Sequence, residues 1–71
     1  KNICGERLRE ARVIQRLRQE DLAAKIQTMG ANLERDSISR IEIGTRFVSD
    51  FELKVFAKAL GVSVDWLLDN E

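Results

Sequence analysis

The chain has 71 residues with no proline, no histidine and one cysteine, and its 12 Lys/Arg balance 12 Asp/Glu to a net charge of zero. A chain of that length holds one small domain, expected over residues 1–71 with a longer natural chain left open; a lone Cys4 excludes an internal disulfide, and without histidine a metal site is not expected. No apolar run approaches the roughly 20 residues of a membrane span, and no secretory leader is visible, so a cytoplasmic protein with no membrane partner is expected.

The zero net charge hides a division along the chain. Residues 1–46 carry ten Lys/Arg against seven acids, a net of +3, and hold all eight arginines; residues 47–71 carry two lysines against five acids, a net of −3. The planar fork of arginine suits phosphates and guanine edges, so the first part is a candidate binding face, with a merely solvated surface as the competing reading.

Five helical segments are predicted. The first, residues 2–15, places Leu8 and Ala11, with Cys4 and Gln15 as weaker members, along one side. Its Arg9, Arg12 and Arg16 form a basic stripe at i, i+3 and i+7. The second, residues 19–29, has an apolar face of Leu22, Ala23, Ile26 and Met29, acids Glu20 and Asp21 in its first turn, and Gly30 placed to stop it. The third, residues 35–43, carries only a thin apolar pair, Ile38 and Ile41, before Gly44, and so leaves most of its surface to a partner. The fourth starts at the capping box formed by Ser49 and Glu52, repeats Leu53, Phe56, Ala57 and Leu60, and ends at Gly61. Ser63 caps a last short helix through Trp66, Leu67 and Leu68, with Trp66 read as a core anchor or, alternatively, a dimer contact.

Residues 18–26, running Arg18-Gln19-Glu20-Asp21-Leu22-Ala23-Ala24-Lys25-Ile26, lead to Ser37-Ile38-Ser39-Arg40-Ile41-Glu42-Ile43-Gly44-Thr45-Arg46. Together with Gly5-Glu6-Arg7-Leu8 before them and Leu60-Gly61-Val62-Ser63-Val64-Asp65-Trp66-Leu67 after them, this pairing resembles the Cro and phage-repressor (Xre-like) helix-turn-helix family of transcriptional regulators. The resemblance implies an all-α, five-helix, lambda-repressor-like domain, bacterial or phage-encoded, that binds double-stranded DNA and acts as a repressor. It implies base contacts from Arg35, Asp36, Ser37, Ser39 and Arg40, with Asp36 either accepting from cytosine N4 or, the favoured reading, capping the helix. It implies phosphate contacts from Gln19, Thr45 and Arg46, and a structural salt bridge between Arg12 and Glu42. Arg7, Arg9 and Arg16 are secondary candidates for that surface. A homodimer is expected, through Val64, Trp66, Leu67 and Leu68 or through a missing region, because one recognition helix makes few base contacts.

The sequence departs from the family pattern in several places. Leu22 and Ile38 lie sixteen residues apart, where about eleven is usual for the motif. The second helix is therefore expected to be extended, and the turn before the third to be lengthened around residues 27–34. Ile43 stands where the family usually has Asn before the Gly, so one usual phosphate contact is lost; Arg16 stands where Gly is usual and Arg18 where a Ser or Thr cap is usual, so the end of the first helix is expected to be weakly stopped. Glu34 and Asp36 put negative charge near the helix end that should approach DNA. The alternative function is a protein-interaction module of the same fold, such as an antitoxin component. An enzyme is not expected, since the chain has no histidine, no nucleophile with a neighbouring base and no glycine-rich phosphate loop, and no cofactor is implied.

Overall fold

A computed structural model describes residues 3–69, so the expected helix start at Asn2 lies outside the described residues. Those residues form five helices and no strand: α1 (Ile3–Ile14), α2 (Gln19–Gln27), α3 (Arg35–Ile43), α4 (Asp50–Leu60) and α5 (Val64–Leu67). This is the five-helix all-α arrangement of a lambda-repressor-like domain. Among the described residues no helix is long and apolar enough to cross a membrane.

The core is built from one stripe of each helix. Leu8, Leu22, Ile26, Ile38, Ile41, Phe56 and Leu67 are fully buried. α3 packs across α1 and α2, α4 lies against α2 and α1, and α5 closes on α1 and α4. The α1–α3 contact depends on Gly5, because a Cβ built there would lie 2.1 Å from the Ile41 carbonyl oxygen. Cys4 sits in the same wall, buried and unbridged. Burial pushes its thiol up to about 11, which makes it an inert apolar residue.

Helix ends explain most of the boundaries. α1 is stopped more firmly than its sequence suggests. Arg16 takes a left-handed conformation (φ 59) in the role glycine usually fills. Its N–H donates to the Val13 carbonyl at 2.9 Å, and the Leu17 N–H donates to Arg12 at 3.0 Å. This is a Schellman closure, held at a backbone cost of roughly 1–2 kcal/mol for a residue with a Cβ. Arg18, at the α2 N-cap, has no acceptor to offer; instead Asp21 accepts from the Arg18 N–H at 2.9 Å. Hydrogen bonds from the Arg18 side chain and then its backbone hold the Asp21 carboxyl below its ordinary range. α4 opens on the expected reciprocal cap, with Glu52 N–H donating to Ser49 Oγ at 3.2 Å and Ser49 N–H to Glu52 Oε1 at 3.0 Å. Its buried stripe is broader than the sequence pattern, taking in Val55 and Ala59 while Leu53 is only half-buried. Ser63 caps α5 by accepting from the Trp66 N–H at 2.9 Å.

The second helix is not extended. α2 ends at Gln27 and Met29 lies beyond it, because Gly30 (φ 95) turns the chain while the Ala31 N–H bonds back to Ile26 at 3.0 Å. The lengthening therefore falls on residues 28–34. This connection brings its own core contacts, since Ala31 and Leu33 are buried and Gln27 Nε2 donates to the Leu33 carbonyl at 2.9 Å. At the other end of the chain the expected dimer cluster needs a correction. Leu67 is fully buried in the core and is removed from any surface, while Val64 and Trp66 are half-buried and Leu68 is exposed. Trp66 packs against the core with the Arg7 guanidinium 4.6 Å from its ring centroid. Arg7 also pairs with Asp69, which ties it to the bundle.

Candidate nucleic-acid interface

α3 has two unlike sides. Ile38, Ile41 and Glu42 are buried. Opposite them Asp36, Arg40 and Ile43 recur at i, i+4 and i+7, with Ser39 beside them and Arg35 at the N-terminal end of the helix. Arg35, Asp36, Arg40 and Ile43 are exposed and Ser39 is partly so. Ser37 lies half-buried at the border between the two sides. Of the five expected base-contacting residues, Asp36, Ser39 and Arg40 thus share the outward face, while Arg35 and Ser37 lie at its two edges in the first turn. Ile43 joins them although the sequence reading treated it only as a departure from the usual Asn. Its spacing of three from Arg40 and seven from Asp36 was the signal that could have found it.

The buried side is anchored by Glu42, the core's one buried acidic residue among those described. Arg12 Nε donates to Glu42 Oε2 at 2.7 Å and Arg12 Nη2 donates to Oε1 at 3.0 Å. Gln19 Nε2 donates to the same Oε1 at 3.0 Å. The remaining arm of the guanidinium, Nη1, donates to the Leu17 carbonyl at 2.7 Å. Side-chain exposure is only 12% for Arg12 and 2% for Glu42, so the charges are worth little apart and much together. One carboxylate joins the last turn of α3 to α1, to the first residue of α2 and, through Arg12, to the connection between those helices.

This cluster changes the reading of Gln19, whose amide is engaged with Glu42 rather than turned outward. At the other rim, Thr45 Oγ1 donates to the Arg40 carbonyl at 3.3 Å. Arg46 donates from both terminal nitrogens to Glu52, at 3.2 and 3.3 Å, and to the Phe47 carbonyl at 3.2 Å. Burial acts to raise the Glu52 carboxyl, but the hydrogen bonds from Arg46 and from the Ser49 N–H outweigh it and hold it below its ordinary value.

The N-terminal end of α3 is held differently. Glu34 occupies the N-cap position and makes no side-chain cap hydrogen bond. Asp36 is not the cap favoured from the sequence. It sits inside the first turn and accepts from Arg35 Nη1 at 3.3 Å. Both side chains are solvent-exposed, so this pair is weak and easily exchanged for another partner.

Comparison with known proteins identifies the class. The helix-turn-helix domain family model matches residues 4–68, and the chain belongs to that family. No curated protein and no solved structure gave a match. The family assignment makes DNA binding, in a regulatory setting, the activity that the geometry of α3 has to explain.

Proposed function

We propose that this helix-turn-helix domain binds double-stranded DNA sequence-specifically as a Cro/phage-repressor-type (Xre-like) transcriptional repressor, with α3 in the major groove. The observation that carries the reading is the division of α3 into a side locked to the core and a side bearing Arg35, Asp36, Ser39 and Arg40. A groove about 12 Å wide admits a helix presented in this way. Arg35 and Arg40 supply forked donors for guanine O6 and N7, Ser37 and Ser39 bond bases or phosphates, and Asp36 accepts from cytosine N4. Thr45 and Arg46 meet phosphates beyond the end of α3, with Arg46 exchanging Glu52 for the backbone. Gln19 contributes through its place in the first turn of α2, where the helix dipole favours a phosphate. The Arg12 and Glu42 pair fixes the angle at which α3 stands off the core. Two copies on half-sites about 34 Å apart give the affinity that one helix lacks, with Val64, Trp66 and Leu68 as the candidate dimer surface.

Fluorescence anisotropy with random duplex DNA at several salt concentrations tests this reading. Binding that weakens steeply with salt, and that fails in the Arg35→Ala, Arg40→Ala double variant, is the expected result. Arg35 and Arg46 both hold acids in the free chain, which favours a second reading, a protein-interaction module such as an antitoxin component. That reading prevails if no binding is seen at low salt and the double variant changes nothing.

A further inference from the structure

The lengthened connection between α2 and α3 builds one wall of a groove whose other wall is α4. Met29, half-buried in that connection, packs against the core. Together with Lys54, Val55 and Lys58 it lines a hollow of about 350 Å³ that opens to the surface. On α4, Phe51, Lys54, Val55 and Lys58 stand at i, i+3, i+4 and i+7, so they share one face, with Val55 at the margin of the core. Phe51 extends the apolar surface. Its side chain is 56% exposed, and it lies over Gly30, where an added Cβ would meet the ring carbon Cζ at 3.6 Å. Lys54 and Lys58 are the only bases in residues 47–71, beside five acids. Both are exposed, and among the described residues neither forms an ion pair, although Asp50 stands one turn before Lys54.

We propose that this groove docks an acidic amphipathic helix of a partner protein, with an apolar residue seated on Met29 and Val55 and carboxylates on Lys54 and Lys58. The two lysines are four residues apart, about 6 Å along the axis of α4. Two Asp or Glu at i and i+4 on a helix laid alongside have the same spacing. Charge complementarity selects such a partner over a basic one. The apolar floor favours a protein over a nucleic-acid backbone, which offers phosphates to the lysines but nothing to Met29 and Val55. An open groove also encloses too little of a small molecule to hold it well. Asp50 begins the same stripe and repels acids at that end, which holds the partner toward Lys58. α4 packs on α2, α1 and α5 rather than on α3, so the groove lies off the outward face of α3 and acts whether or not DNA is bound.

The test selects binders of the 71-residue chain from a displayed library of random peptides, each about four helical turns long. Enriched peptides should carry Asp or Glu four residues apart beside a large apolar residue. A synthetic copy should shift the amide resonances of Met29, Gly30, Val55 and Lys58 and leave those of Ser39 and Arg40 in place. Reversing both charges, Lys54→Glu with Lys58→Glu, should weaken that peptide by about tenfold or more. A peptide with lysines in place of its acids should regain the loss on the reversed chain. Met29→Ala should weaken the original peptide several-fold, and the Arg35→Ala, Arg40→Ala double variant should bind it normally. Affinity for an operator selected from a random duplex library should fall far less on reversal of the two lysines than in that arginine variant. The proposal is overturned if no acidic peptide is enriched, if the shifts fall on α3 or α5, or if the charge-swapped peptide gains nothing on the reversed chain. It is equally overturned if reversal spares the peptide and costs as much operator affinity as the arginine variant, which would assign both lysines to phosphates.

Discussion

The two ends of α3 are held by different means. At the C-terminal end Glu42 is gripped by Arg12 and Gln19, the Ile41 carbonyl lies against Gly5, and Gly44 (φ 90) turns the chain while the Thr45 N–H bonds back to Arg40 at 2.8 Å. At the N-terminal end Glu34 makes no cap bond, Asp36 engages only its exposed neighbour Arg35, and a seven-residue connection leads in from α2. The orientation of the helix is therefore fixed from its far end, while the first-turn amides, which no helix can satisfy internally, stay available to a partner at the end proposed to read DNA. Core material is concentrated where position must be exact to within a side chain, and polar, replaceable contacts where recognition happens.

Breaking the anchored end should have the largest effect. Arg12→Ala leaves a buried carboxylate with only Gln19 and should cost about 3–5 kcal/mol. A chain this size has roughly 4–10 kcal/mol in hand, so the variant should unfold at a far lower urea midpoint. Arg12→Lys, which keeps the charge but loses the fork, should fall between the two. Gly5→Ala comes next, because the methyl group must push α1 off the α3 backbone. A loss of about 1–3 kcal/mol is expected, read as a lower urea midpoint and, after refolding in excess DNA, a weaker affinity from the tilted helix.

The open end should respond in the opposite sense. Glu34→Ser supplies the missing cap and should stabilise the free chain by about 1 kcal/mol, a rise of roughly 4–8 °C in Tm for a domain of this size. It also removes a negative charge beside the proposed groove contact, so non-specific DNA affinity should rise. Arg16→Gly relieves the left-handed turn after α1 and should gain a similar or slightly smaller amount, offset by the freer unfolded chain. Because it also removes a positive charge, any change in non-specific DNA affinity should be a decrease, opposite in sense to Glu34→Ser. If both variants stabilise and only Glu34→Ser tightens binding, the contrast between the ends holds.

Acid should produce the smallest effect. Glu52 has a folded-state value below its ordinary 4.5. The stability it contributes is thus present above pH 4.5 and disappears as pH falls through the lowered value. Thermal melts of the unaltered chain should drop below pH 4.5, and Glu52→Gln should start lower at neutral pH and show a flatter acid limb.

The contrast also explains what could be read from the residues alone. Local signals were legible: the Ser49 and Glu52 cap, the glycines at Gly44 and Gly61, and the Ile38 and Ile41 pair each act within one turn of chain. The pairing of Arg12 with Glu42 spans thirty residues and came from resemblance to a known pattern, not from spacing. The same limit hid the need for glycine at position 5, which arises from a backbone contact with Ile41, and the turning of Gln19 toward Glu42. Ala31 and Leu33 escaped because an irregular connection has no period to mark its buried side. The early end of α2 escaped because Met29 continues the apolar spacing past the point where Gly30 turns the backbone. Arg16 was legible as standing where Gly is usual, but a residue with a Cβ gives no local sign that the backbone will still take the left-handed turn. Leu67 was assigned to a surface because its neighbours Trp66 and Leu68 are apolar too, and four residues of helix are too few to separate inside from outside.

The placement of α3 is tested most directly by dimethyl sulfate protection of guanine N7 in the selected operator, since that atom lies only in the major groove. The account predicts protected guanines in each half-site, with protection lost at one of them in Arg35→Ala and at a different one in Arg40→Ala, both variants keeping the circular dichroism of the unaltered chain. Binding without any protected N7, or protection that neither variant changes, would contradict it.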